Sequence, residues 1–230
     1  MTKRILRVGI DKAQPVPMQL GNPETGDFRG YEVDLLNEVG RRAGFGLSFR
    51  RAPWNVIIHE LVCGEIDMVC SAATITSERE REVDFCSPYL DVKLAVVKRS
   101  GIGADTSISG LRLGVRCGTT AEAYVRQYAT VEPVRLSESN DELYTLLAAG
   151  EVDAVVDDSP IAEWFARSIR GLQFAGVLPG TESAYAIIVG KGNHELLAKI
   201  NTALEEITND GTRHTLLLKW FDDGSTEVNG

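Results

Sequence analysis

The chain has no C-x-x-C pair among its four cysteines (Cys63, Cys70, Cys86 and Cys117), and its three histidines, His59, His194 and His214, are scattered. That spacing argues against a metal site and leaves buried free thiols as the expected state of the cysteines, although Cys63 and Cys70 are close enough in sequence to pair. A basic surface is also missing. Lys and Arg number 24 against 33 Asp and Glu, for a formal net charge of −9, so neither a nucleic-acid nor an anionic-membrane partner is expected. No apolar run approaches the ~20 residues that span a bilayer, and there is no low-complexity tract. Neither a Ser/His/Asp set nor a phosphate-binding glycine loop occurs, and nothing requires a cofactor. The first residues, MTKRILRVGI, run almost directly into a strand pattern without the apolar core of a leader. That fits either a cytoplasmic chain or one whose leader or parent sequence lies elsewhere.

What is present is the composition of a globular protein. With 230 residues, 43% hydrophobic and 25% charged, the chain can form one large domain or two lobes, each with its own core. Two internal echoes favour two lobes. LRVGI at 6–10 returns as LRLGV at 111–115, and LVCGEIDMVCS at 61–71 returns as LAAGEVDAVVD at 147–157. A Gly-Glu-aliphatic-Asp string is a common helix-to-strand turn, but both echoes recurring in the same order point to duplicated architecture.

Periodicity agrees. The first half predicts strands at 5–10, 46–50 and 66–70 with helices at 31–43 and 54–63. The second predicts strands at 111–115, 132–135 and 152–156 with helices at 120–127, 139–148 and 159–168, the 139–148 helix capped by Ser139 or Asn140 and closed by Gly150. Helices alternating with short β-rich runs imply parallel βαβ layers. Helices at 193–208 and 211–220 end the chain, and the strand-like segments 91–99 and 183–189 flank the second half. Two extended crossings make a hinge, so lobe 1 is expected to comprise 1–91 with 186–230 and lobe 2 to comprise 92–185.

Ligands of open α/β sheets bind beyond the carboxyl ends of the strands. The residues there are Asp11 and Lys12; Ser71 and Thr74; Gly118, Thr119 and Thr120; and Asp157 and Asp158. Facing lobes would bring these loops to one cleft. Between the second and third sets lies SEREREVDF (77–85), where Ser77 and Glu80 fit a capping box over a short turn at 78–82. Arg79 and Arg81 then fall on nearly opposite sides, so one can face the cleft as a planar clamp for a carboxylate. Spacing leaves open the alternative that both are surface partners of Glu78, Glu80 and Glu82. Asp158 reads either as a carboxylate for an ammonium group or as the N-cap of the 159–168 helix. Trp54 reads either as a wall on which a side chain could stack or as packing at a helix start.

The ordered set GYEVDLLNEV (30–39), GEIDMVCSAATITSERE (64–80), VDFCSPY (83–89), LRLGVRCGTT (111–120), AAGEVDAVVDDSP (148–160) and INTALEEITNDGTRHTLLLKWF (200–221) resembles the family-3 extracellular solute-binding proteins of the amino-acid-binding type. The resemblance covers nearly the whole chain. It implies a two-lobed α/β periplasmic-binding-protein-like fold of type II, each lobe a mainly parallel sheet flanked by helices, joined by two hinge strands. It implies a monomer in the periplasm or outside the cytoplasm that closes on a free amino acid and delivers it to an ABC transporter permease. By the same resemblance Arg79 would bind the ligand carboxylate with Thr74 and the Gly118, Thr119 and Thr120 loop, and Asp158 would bind the ammonium group. Asp11 and Trp54 match side-chain-pocket positions. Two positions depart from the pattern: Gln14 stands where many members carry an aromatic wall, and Ala72 follows Ser71 where a second small polar residue is usual. Asp11, Gln14 and Trp54 lean towards a polar or cationic ligand side chain. Ligand-sensing receptor domains share the module, and cyclohexadienyl dehydratases form an enzymatic branch for which Glu182 would be the candidate acid.

Overall fold

The computed structural model describes residues 3–13, 17–22, 27–128 and 134–221. The chain divides into two compact units, Met1–Leu90 with Ala184–Gly230, and Asp91–Ser183. The elements run β1 (Ile5–Asp11), β2 (Leu20–Asn22), β3 (Asp27–Arg29), α1 (Tyr31–Ala43), β4 (Gly46–Ala52), α2 (Trp54–Val62), β5 (Met68–Val69), a 3-10 turn at Arg79–Arg81, and β6 (Val83–Val92). They continue as β7 (Leu94–Arg99), β8 (Leu113–Arg116), α3 (Thr120–Tyr128), β9 (Val134–Ser137), α4 (Asn140–Ala149), β10 (Ala154–Asp158), α5 (Ser159–Ser168) and β11 (Leu172–Val177). β12 (Ser183–Gly190), α6 (His194–Asn209) and α7 (Thr212–Phe221) close the chain.

Each unit is built on one five-stranded sheet, ordered β4-β1-β5-β12-β6 in the first and β11-β7-β10-β8-β9 in the second. The sheets are mixed, each with a parallel core. β4–β1–β5 and β10–β8–β9 are parallel, whereas β12 on β5, β7 on β10 and β11 on β7 run antiparallel. The sequence pattern marks a strand but not its direction. The β2–β3 hairpin and β11 were not anticipated, β5 spans two residues where five were expected, and residues 132 and 133 of the expected second strand of lobe two lie outside the described residues.

The helices form where apolar spacing and capping agree. α1 buries Val33, Leu35, Leu36 and Val39, carries Glu32 and Asp34 in its first turn and Arg41 and Arg42 in its last, and ends at a left-handed Gly44. Ser139 accepts the Glu142 N–H at the start of α4, and Gly150 closes it at φ 79°, as expected. Ile57, Leu61, Ile66, Val69 and Ile188 centre one core; Val96, Leu113, Val115, Val125 and Val156 centre the other. Of the four cysteines, all free, only Cys70 and Cys86 are buried; Cys63 and Cys117 are exposed, contrary to the expectation of four buried thiols.

The sequence echoes have a structural cause. Arg7 in β1 donates from Nε to Asp67 Oδ2 at 3.1 Å and from Nη2 to the Gly64 carbonyl at 2.9 Å, while its N–H meets the same carboxylate at 2.7 Å. Arg112, just before β8, repeats every bond: Nε to Asp153 Oδ2 at 3.0 Å, Nη2 to the Gly150 carbonyl at 2.7 Å, and N–H to Asp153 at 3.0 Å. Each clamp locks the helix-to-strand turn onto the neighbouring strand. The echoed Gly9 and Gly114 serve close packing: a Cβ at Gly9 would lie 2.6 Å from Ile66 Cδ1, and one at Gly114 3.1 Å from Leu143 Cδ2. Arg, Gly, Gly and Asp therefore recur because two similar sheets need the same joints.

Candidate functional site

Each unit carries its own set of site residues at strand ends. In the first, β1 and β5 are parallel neighbours, so their carboxyl ends lie side by side. Asp11 ends β1 and is buried. Its N–H donates to Ser71 Oγ at 2.9 Å, and its Oδ1 accepts the Ala13 N–H at 3.1 Å. Asp11 and Ser71, proposed separately from sequence, thus meet directly. Gln14 lies outside the described residues.

A second cluster forms around Arg79. Its guanidinium lies 5.0 Å from the centre of the Trp54 ring, and Nη1 donates to the Thr74 carbonyl at 2.9 Å. Trp54 opens α2 directly after Pro53. Thr74 is buried and bridges antiparallel to Tyr185, which holds its carbonyl in place. Arg79 is half-buried and Arg81 exposed, the two-sided split that their spacing predicts. The expected Ser77 capping box is not what starts the turn. Thr76 takes that role, its hydroxyl accepting the Arg79 N–H at 3.2 Å and its carbonyl the Glu80 N–H at 2.9 Å. A hydroxyl one position earlier caps equally well because the turn is a tight 3-10 type.

Ala72 links the two clusters. Among the described residues it is the non-glycine with positive φ, at 46°, and its N–H donates inward to Glu32 Oε1 at 2.6 Å. Glu32 went unrecognised in sequence, although it stands in the GYE triplet quoted above. It is fully buried in the first turn of α1 and also accepts from the Tyr89 hydroxyl and Gln19 Nε2. Burial raises its pKa to about 7, against the opposing pull of the Tyr89, Ala72 and Gln19 hydrogen bonds.

In the second unit the loop after β8 is tied to the start of α3. The Gly118 N–H donates to Glu122 Oε2 at 2.7 Å; the Thr119 hydroxyl donates to the Arg116 carbonyl at 2.7 Å and accepts the Glu122 N–H at 3.2 Å. Two of the donors assigned to a ligand therefore already cap a helix, and Thr120 is the first residue of that helix. The adjacent aspartates at the end of β10 differ. Asp157 is buried, accepting from Asn140 Nδ2, from the Tyr144 hydroxyl at 3.3 Å and from the Asp158 N–H at 2.9 Å. Burial, then the neighbouring Asp158 charge, raises its pKa to about 7. Asp158 occupies the N-cap position of α5, yet its side chain makes no capping hydrogen bond. The carboxylate at the helix start is therefore not committed to the cap, the alternative its sequence position offered.

Glu182 does not suit a catalytic acid. It is exposed and pairs with Lys93 at 3.1 Å. Its pKa is lowered, by a backbone hydrogen bond and then by Lys93, the reverse of what an acid donating near neutrality needs. Among the described residues no group of three or more His, Cys, Asp or Glu is placed to hold a metal.

This arrangement is that of a type II periplasmic-binding-protein fold, and similar solved structures agree. An ancestral arginine-binding protein bound to glutamine superposes with a TM-score of 0.85 at 34% identity, covering 97% of this chain and 100% of that one. The arginine-, lysine-, histidine-binding protein ArtJ from Geobacillus stearothermophilus superposes with a TM-score of 0.85 at 27% identity, covering 98% and 97% of the two chains. In sequence, the histidine-binding periplasmic protein of Salmonella typhimurium is 29% identical over 94% of this chain and 87% of its own length. The model of the bacterial extracellular solute-binding proteins, family 3, matches residues 6–223. The chain belongs to that family.

Proposed function

We propose that this protein captures a free L-α-amino acid with a polar or cationic side chain and delivers it to an ABC permease. In this reading Arg79 with Thr74 binds the ligand carboxylate and Asp158 binds its ammonium group. Asp11 and Trp54 contact the side chain, and a single zwitterion engages both units at once, shifting the protein to a closed state. The protein acts as a monomer outside the cytoplasmic membrane and carries out no chemistry on its ligand. The observation that carries the proposal is Arg79, half-buried on Trp54 and tied to the Thr74 carbonyl at 2.9 Å: a guanidinium oriented in this way is prepared for a carboxylate at little further ordering. Relatives named for histidine and arginine support the side-chain preference.

A thermal-shift screen against the twenty proteinogenic L-amino acids, followed by calorimetry and size measurement, tests the proposal. Stabilisation by arginine, lysine, histidine or glutamine with micromolar or tighter affinity, roughly −8 kcal/mol or better, is expected. No shift with any of the twenty, or turnover of prephenate or arogenate, would overturn it.

A further inference from the structure

We infer that Glu32, buried behind the first unit's site residues, is a positioning residue for ligand capture: it holds Ala72 in its left-handed turn and so sets the Asp11–Ser71 pair against the Thr74–Arg79 pair. The inference rests on the function proposed above and adds to it a residue that would touch no ligand. A left-handed backbone is uncommon for a residue with a Cβ and persists where the surroundings over-determine it. Here both flanks of Ala72 are pinned. Gln19 Nε2 donates to the Cys70 carbonyl at 2.6 Å on one side. On the other, the Ala73 carbonyl accepts the Ala186 N–H at 3.1 Å and Ile75 N–H reaches the Ala184 carbonyl at 3.0 Å. Between these anchors the Ala72 N–H meets Glu32.

The carboxylate is itself held in place. Tyr89 and Gln19 donate to it, and Gln19 binds both Glu32 and Cys70 through one nitrogen, leaving its Oε1 buried without a partner. The Gln19 amide is therefore oriented by two acceptors, and an amide in place of the Glu32 carboxylate would face donor with donor. Gly30 makes the arrangement possible. At φ 132° it lets the 17–19 segment cross the start of α1, where a Cβ would lie 2.4 Å from the Met18 carbonyl oxygen. The Tyr31 and Glu32 N–H groups donate to the Pro17 and Met18 carbonyls at 2.9 and 3.1 Å. Ala72 lies between Ser71, which receives the Asp11 N–H, and Thr74, whose carbonyl receives Arg79. A change in its φ swings one pair relative to the other.

The test is a double-mutant cycle in the full chain, read by calorimetry with the tightest binder among the twenty L-amino acids. Glu32→Gln is expected to weaken binding about tenfold, equivalent to ~1.4 kcal/mol. In an Ala72→Gly background, where glycine adopts positive φ without steric cost, the same substitution should lose at most roughly a third of that in free energy. A generally damaged fold would show no such rescue. If Glu32→Gln fails to fold, Ala72→Val, which leaves the carboxylate cluster intact but opposes the left-handed turn, should itself weaken binding about tenfold. Glu32→Gln within twofold of wild type, an equal loss in both backgrounds, or unchanged binding by Ala72→Val would overturn the inference while the wild type still binds. Absence of binding by the wild type would instead refute the function on which it rests.

Discussion

Replacing Arg79 with lysine keeps the charge and removes the planar fork. In the native arrangement one guanidinium lies 5.0 Å from the Trp54 ring centre and donates to the Thr74 carbonyl at 2.9 Å. A lysine ammonium can meet the carbonyl or the ligand, but it cannot present a parallel pair of donors. The Thr74 bond is worth about 0.5–1.5 kcal/mol and the stacking at a half-exposed site about 0.5–1 kcal/mol; lysine keeps part of each, so unfolding free energy should fall by about 1 kcal/mol or less. Binding should suffer more. Loss of one charge-assisted hydrogen bond to the ligand costs about 1.5–3 kcal/mol, or about fortyfold in affinity at the middle of that range. Calorimetry gives the affinity and urea denaturation the stability. An Arg79→Lys protein that binds within twofold of wild type would refute the claim that the oriented fork is what recognises the carboxylate.

Asp158→Asn should weaken binding by about 2 kcal/mol or more, since the native side chain makes no capping bond to α5; a loss of stability without a loss of affinity would assign it to the helix instead. Stability should depend on pH through the two buried carboxyls. Glu32 and Asp157 rise from ordinary values of 4.5 and 3.8 to about 7, so between those limits the folded form retains protons that the unfolded chain has lost. Their contribution is fully present at about pH 4 and lost as pH rises through about 7. Denaturation midpoints at pH 5 and 8 should therefore fall for wild type and fall less for Asp157→Asn; an identical decline in both would contradict the assignment. Asp153, held near pKa 2 by its hydrogen bond from Arg112, works in the opposite sense but below this window, contributing above pH ~4 and losing that contribution only in strong acid.

The features legible in sequence were those with a local cause. The α1 pattern and the Ser139 and Gly150 caps are visible because capping and amphipathicity act within a few residues. The echo of LRVGI in LRLGV was visible because Arg7 and Arg112 perform the same task with Asp67 and Asp153. Strand direction was not visible, since alternation of side chains is the same in parallel and antiparallel pairs, and neither was the Thr76 cap, chemically interchangeable with Ser77 at this distance. At the site, Asp11 and Ser71 could be read as strand-end residues, but their direct bond depends on which strands are neighbours. Glu32 escaped because an acidic residue in a first helical turn usually complements the dipole at the surface. Only the crossing 17–19 segment and Tyr89 reveal it as buried.

The central claim is recognition of both charges of one α-amino acid. Calorimetric titration of the wild type with L-arginine, with agmatine, which lacks the carboxylate, and with N-acetyl-L-arginine, which lacks the ammonium charge, tests it most directly. The account predicts micromolar or tighter binding of arginine and at least thirtyfold weaker binding of each derivative, about 2 kcal/mol for each missing charge. Equal affinity for arginine and either derivative would contradict it.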